Sequence, residues 1–239
     1  MNMLISGGSK GLGLDICKKL LLNESNQVIT FARKSNSQVE KLMKENERFS
    51  FNEFDLSQLD DIKEFVNKLK KDFGPIECLI NNAAVGSDGI LATMHDNDIK
   101  DALTINSLAP IILTKYCVKN MLLLKRGNII NISSIVANTG FNGLSVYAAT
   151  KSSQIGFTKS LARELGKVNI NVNAILPSFM ETEMTSGIKN DNLQKILRRS
   201  PMNKLPNISS VTNMVEYLIS KNANDITGQS FVIDAGATC

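Results

Sequence analysis

The chain has 239 residues, 43% hydrophobic and 21% charged, with a net charge of +4 and no basic run longer than a pair. That is enough chain for a large core, and the scattered charge argues against a nucleic-acid partner. Four dispersed cysteines, Cys17, Cys78, Cys117 and Cys239, and a single histidine, His95, leave no zinc cluster and no histidine-based triad, so no metal is expected. No run approaches the roughly 20 apolar residues that span a bilayer, and the first residues lack a signal-peptide pattern, so the reading is a cytoplasmic protein with no membrane partner.

A strand over 3–6 runs into the turn Gly7, Gly8, Ser9, Lys10, Gly11, Leu12 and Gly13, then a helix over 12–22. Glycines allow close approach to a pyrophosphate while the helix N–H groups face the anion, so this reads as a dinucleotide cradle. Its spacing is G-x-x-x-G-x-G, not G-x-G-x-x-G. A strand over 27–31 ends near Arg33 and Lys34. A carboxylate there would suit a ribose 2′-OH and an arginine a 2′-phosphate, so these residues, joined by Lys10, point to NADP(H).

The strand over 49–54 leads into Asp55 and Leu56. Asp55 is placed either to meet an adenine amino group or to cap the helix that follows over 59–73. The strand over 76–81 ends in Asn81-Asn82-Ala83-Ala84, small residues against which a cofactor can lie. Within a helix over 104–124, Asn106 is a poor mid-helix residue, so it marks a kink or a polar group with a task.

A strand over 128–133 precedes Ser134, and a helix over 147–166 opens with Tyr147 and Lys151. Residues four apart share one helix face, so a phenol and an ammonium meet there. An ammonium favours phenolate and would draw the tyrosine down towards working pH. A strand over 169–176, a Met- and Asn-rich stretch over 177–206 read as a substrate lid, a helix over 209–221 and a strand over 230–233 complete the chain. This alternation predicts an α/β fold: one Rossmann-type, doubly wound domain over 1–239, with a seven-stranded parallel sheet flanked by helices.

In this order and spacing, the glycine turn, Asp55, Asn81-Asn82-Ala83, Asn106, Ser134, Tyr147, Lys151 and the segment 177–182 resemble the short-chain dehydrogenase/reductase family, over essentially the whole chain. The resemblance implies that Tyr147 is the general acid for carbonyl reduction and that Ser134 orients the substrate oxygen. It further implies that Lys151 holds the nicotinamide ribose and lowers the Tyr147 pKa, and that Asn106 fixes a relay water. Met180 and Thr182 match positions beside the nicotinamide carboxamide. Two departures are Ser178 after Pro177 and Ala84 after Ala83, where the family usually has glycine.

The wording from Tyr147 through Glu164, with Glu181-Thr182-Glu183-Met184, is similar to the 3-oxoacyl-(acyl-carrier-protein) reductases of fatty acid biosynthesis. That similarity implies NADPH-dependent reduction of a 3-oxoacyl thioester, free or carrier-bound. Lys125, Arg126 and Lys167 are candidates for a carrier-protein patch beside the entrance. Reduction or oxidation of a sugar or other secondary alcohol is the alternative, and a nucleotide-binding regulator without chemistry a further one. Family habit, together with surplus apolar positions on the two long helices, implies a homotetramer or homodimer.

Overall fold

Short apolar runs pair into one seven-stranded sheet, ordered β3-β2-β1-β4-β5-β6-β7, in a computed structural model that describes residues 1–180 and 197–239. The strands are β1 Asn2–Ser6, β2 Gln27–Ala32, β3 Phe49–Glu53, β4 Cys78–Asn81, β5 Gly127–Ile132, β6 Ile170–Pro177 and β7 Ser230–Ile233. Every pairing is parallel, with Leu4 opposite both Ile29 and Leu79. Parallel neighbours need crossovers, and the intervening segments supply helices for both faces.

Side-chain alternation along β1 divides the core into two layers. Met3 and Ile5 pack with Leu14, Cys17 and Leu20 of helix α1 (Gly11–Leu21), Val39 of α2 (Ser37–Glu45) and Val211 and Val215 of α8 (Ile208–Ile219). Leu4 packs the opposite way, with Leu69 of α3 (Ile62–Phe73), Leu113, Cys117 and Met121 of α5 (Ala109–Leu124) and Leu161 and Leu165 of α7 (Ser145–Leu165). Each such side chain contributes about 1.5–3 kcal/mol by leaving water. Phe31, Phe54 and Phe65 close that second layer, the last two stacked with centroids 4.1 Å apart.

The helix expected over 104–124 begins earlier and is interrupted. Helix α4 (Asp96–Leu103) passes through a π-helical turn, Thr104–Leu108, into α5. The combined run Asp96–Leu124 is long and apolar enough to cross a bilayer, which corrects the reading that no segment is. Here its apolar positions belong to the core: Ala102, Ala109, Leu113, Cys117 and Met121 are fully buried. Helix α2 was not anticipated at all. Short helix α6 (Val136–Thr139) follows β5.

Of the expected lid over 177–206, residues 181–196 lie outside the described residues. Ser178 continues the sheet by donating its N–H to Ile233 O. Its φ is not positive, so this backbone path makes no demand for glycine.

Candidate active site

Strand order reverses between β1 and β4, and at such a switch point the crevice beyond the strand C-termini receives ligands. Here the two loops are tied together. Ser6 Oγ accepts from the N–H groups of Asn82 and Ala83, both at 3.0 Å, and Asn82 Nδ2 donates to Ser6 O and Gly7 O. Gly7 takes φ +72°, and a Cβ there would run into Ala83. A Cβ on Gly13 would run into the Gly7 carbonyl and the Asn82 amide, so the helix start abuts the turn as a phosphate cradle requires.

Thr30 Oγ1 accepts from Gly8 N–H at 3.0 Å and donates to Ile5 O, holding the turn from the β2 side. Asn36, the N-cap of α2, donates to Ser9 O at 2.7 Å. Ser6, Thr30 and Asn36 were missed as site residues. The available signals were a lone hydroxyl in an apolar strand and an asparagine ahead of a helical pattern.

Arg33 and Lys34 are exposed just past β2, and Lys10 is exposed in the turn. A 2′-phosphate on a nucleotide lying over the cradle fits these cations. Asp55 braces its own turn and is not the N-cap of α3, a place taken by Asp61. Asp55 Oδ1 accepts from Ser57 N–H and Ser57 Oγ, both at 2.9 Å, in a turn ahead of α3. The Ser57 N–H holds its carboxyl below the usual range, with the Ser57 hydroxyl and the Arg33 charge acting the same way against partial burial. The Leu56 side chain is core, packed in the layer of Ile29 and Phe31. Leu12 likewise packs against the α1 layer. Met180 is buried where β6 ends, and Thr182 lies outside the described residues.

The other half of the site stands over β5. Lys151, in the second turn of α7, is 2% exposed and donates Nζ to Ile132 O at 2.8 Å, two residues before Ser134. Ser133 Oγ donates to Lys151 O at 2.8 Å, fixing α7 on the strand. Among the described residues Ser134 Oγ has only a 3.4 Å bond from Val136 N–H, so its hydroxyl can turn to a ligand. Tyr147, one turn before Lys151, is half-buried with its ring centroid 5.6 Å from Nζ.

Asn106 is fully buried in the π-turn. Its Oδ1 accepts from Val85 N–H at 2.8 Å, and its Nδ2 donates to Val85 O at 2.9 Å and to Thr150 Oγ1 at 3.3 Å. It therefore locks the loop after β4 to helix α7, joining the nucleotide half of the site to the Tyr147 half.

Electrostatics correct one expectation. Burial pushes the Tyr147 phenol up to about 12, with the Asp88 carboxylate adding to the rise. Burial pulls Lys151 down to about 8. Burial, not the neighbouring ammonium, sets the direction of the phenol's shift. Tyr147 is thus a protonated phenol at neutral pH.

The basic patch is also displaced. Lys125, Arg126 and Lys167 precede the starts of β5 and β6, at the edge opposite Ser134, a six-residue strand or about 20 Å away. Arg126 is moreover paired with Glu77 at 2.6 Å. They do not flank this chain's own entrance.

A nucleotide cradle facing a buried lysine and a tyrosine proton carrier across one sheet edge is the arrangement of a dinucleotide-dependent oxidoreductase. Comparison with known proteins agrees. The family described as enoyl-(acyl carrier protein) reductase matches residues 7–238. The 3-oxoacyl-(acyl-carrier-protein) reductase FabG of Chlamydia pneumoniae is 34% identical, covering 99% of this chain and 96% of its own. Carbonyl reductase family member 4 of Xenopus laevis is 33% identical over 97% and 95%. The structure of ElxO with NADP bound superposes with TM-score 0.89 and 31% identity, over 99% and 98% of the two chains. A tyrosine-to-phenylalanine variant of ElxO holds NADPH. The chain belongs to the short-chain dehydrogenase/reductase family.

Proposed function

We propose that this protein reduces a ketone to a secondary alcohol with NADPH, and that the ketone is a 3-oxoacyl thioester, free or on a carrier protein. The carrying observation is the convergence of Tyr147, Lys151 and Ser134 beyond β5, beside a cradle with Arg33 and Lys34 at its 2′-phosphate end. Cofactor and reaction type rest on family membership and on that basic end. The substrate rests on relatives named as 3-oxoacyl-(acyl-carrier-protein) reductases. The carbonyl reductase relative keeps other ketones as the second reading.

NADP(H) when bound supplies or takes the hydride. Gly7, Gly11 and Gly13 with the α1 N-terminus would hold its pyrophosphate, and Arg33 and Lys34 its 2′-phosphate. Ser134 Oγ–H donates to the ketone oxygen and orients it. Tyr147 O–H protonates that oxygen as negative charge develops, a contribution of about 10²–10⁴-fold. Lys151 offers its ammonium beside the phenol and would reach a ribose hydroxyl. The exposed Leu103, Leu108 and Ile111 on the α4–α5 run support a homodimer or homotetramer. Cys17 and Cys78 are buried free thiols pushed up to about 12 by burial, which suits inert core residues in the cytoplasm.

The test is NADPH oxidation with acetoacetyl thioesters, simple ketones and keto-sugars, for the natural chain and Tyr147→Phe. Thioesters should turn over fastest, and Tyr147→Phe should lose about 10²–10⁴-fold in kcat with NADPH affinity within about two-fold. Full turnover by Tyr147→Phe would remove the tyrosine from its role.

A further inference from the structure

We propose that Arg199, laid against Phe141 at the mouth of the site, is a specificity-determining residue that favours ketone thioesters whose arm carries a phosphate. This rests on the thioester reading above.

Three loops meet at that mouth. Gly89 N–H, in the loop after β4, donates to Gly143 O at 2.8 Å and so ties that loop to the segment between α6 and Tyr147. Phe141 opens a turn in this segment, its carbonyl accepting from Leu144 N–H at 3.1 Å. Such a turn spans less than about 7 Å and the helical step from Leu144 to Tyr147 adds about 5 Å, so the α-carbons of Phe141 and Tyr147 lie within roughly 12 Å. The third loop leads into α8 and brings Arg199, whose guanidinium carbon stands 5.0 Å from the Phe141 ring centroid.

The arginine is held from behind. Its neighbour Ser200 is 4% exposed and donates Oγ to Ala235 O at 2.7 Å. The C-terminal turn that receives this bond is braced in its own right: Asp234 accepts from Gly236 N–H at 2.8 Å, Thr238 N–H at 2.9 Å and Thr238 Oγ1 at 2.7 Å. Arg199 and Phe141 are both exposed, and among the described residues the guanidinium makes no ion pair and no hydrogen bond. An arginine stacked on a ring keeps its N–H edge free, and that fork fits two oxygens of a phosphate. Stacking and the anchored neighbour also reduce the side-chain freedom lost on binding.

The inner wall carries the opposite sign. The exposed Asp88 carboxylate, one residue before Gly89, adds to the rise of the Tyr147 phenol. Negative charge beside the ketone is therefore disfavoured, whereas at Arg199 it is drawn in. A thioester suits both ends. It is neutral at the reacting carbonyl, and the pantetheine arms of carrier proteins and of coenzyme A bear their phosphate at the far end.

The test compares the natural chain with Arg199→Gln and Arg199→Lys on acetoacetyl esters of N-acetylcysteamine, which has no phosphate, and of phosphopantetheine, coenzyme A and acyl carrier protein. For Arg199→Gln, kcat/KM should fall about ten-fold on the phosphopantetheine ester, through KM, and stay within about two-fold on the N-acetylcysteamine ester. Arg199→Lys keeps the charge without the fork and should fall in between. NADPH affinity should be natural in both variants, and added salt should shrink the phosphate-dependent loss. The larger of the coenzyme A and carrier-protein losses names the source of the phosphate. Equal losses on the N-acetylcysteamine and phosphopantetheine esters would overturn the inference, since that is the shape of the mouth alone. So would natural values on every phosphate-bearing ester. If the natural chain turns over none of these thioesters, the substrate reading falls and the inference with it, whereas turnover without discrimination by Arg199→Gln removes only the inference.

Discussion

Removing the Asn106 side chain should loosen the protein where its two functional halves meet. Asn106→Ala deletes two short bonds to Val85, at 2.8 and 2.9 Å, and a 3.3 Å contact with Thr150. The two short bonds contribute about 1 kcal/mol each, and leaving the half-buried Val85 groups under-satisfied adds roughly 1 more, for a total of about 3 kcal/mol. In a domain of this size that is a drop of roughly 6–12 °C in Tm. Asn106→Asp sharpens the case because its shape is nearly identical. One carboxylate oxygen can still accept from Val85 N–H, but the other faces Val85 O, where a donor is required. It also brings a charge to a fully buried position. The aspartate should therefore be less stable than the alanine at neutral pH. Thermal and urea unfolding of both variants without nucleotide, followed by NADPH titration, reads the outcome. A Tm change below about 2 °C for Asn106→Ala, or an aspartate variant as stable as the natural chain, would refute the clamp.

Three further outcomes are expected. Arg33→Asp should shift the NADPH-to-NADH ratio of kcat/KM by roughly 10- to 100-fold, the loss of one charge-assisted phosphate contact, and an unchanged ratio would show that Arg33 does not meet the 2′-phosphate. Gly13→Ala forces a Cβ against the Gly7 carbonyl and the Asn82 amide. It should cost about 1–3 kcal/mol and weaken NADPH binding, whereas an unaltered Kd would mean that the turn does not cradle the nucleotide. The third concerns pH. Lys151, lowered to about 8, is charged below that value and neutral above it, while Tyr147, raised to about 12, keeps its proton throughout. Reductive kcat/KM measured from about pH 6.5 to about 9.5 should be flat at the acid end and decline above about 8. Lys151→Arg, always cationic, should abolish that decline, and a decline that persists in this variant assigns it to another group.

What could be read from the sequence followed the strength of local signals. Runs such as Met3-Leu4-Ile5 and Ile129-Ile130 are buried on both faces and declare themselves as central strands. Helix α2 buries only Val39 and Leu42, and α4 only Ala102, so neither offers a full apolar stripe to recognise. Asn106 stood out as a misfit in a helix, and the π-turn supplies the reason. Chain order sets Ser134 just past the end of β5 and Tyr147 and Lys151 at the start of α7, and strand ends and helix starts converge in a parallel sheet. Quantities set by tertiary surroundings were out of reach. Burial reverses the expected direction of the Tyr147 shift, and the parallel direction of β5 and β6 sends Lys125 and Lys167 to the far edge.

The all-parallel pairing also governs how the site comes into being. Central strand β1 must wait for β4, whose partner residues lie about seventy-five positions away, as in Leu4 opposite Leu79. No tight hairpin can nucleate such a sheet, so assembly depends on closing long loops before any contact rewards them, a regime of millisecond-to-second folding. The Ser6 hydroxyl can bind Asn82 and Ala83 only after that closure. Intermediates with helices formed and β2–β1 paired would hold half a cradle and no joint to the tyrosine. In a refolding experiment, nucleotide affinity should therefore return late and in step with β1–β4 docking, making cofactor binding a reporter of the slowest topological event.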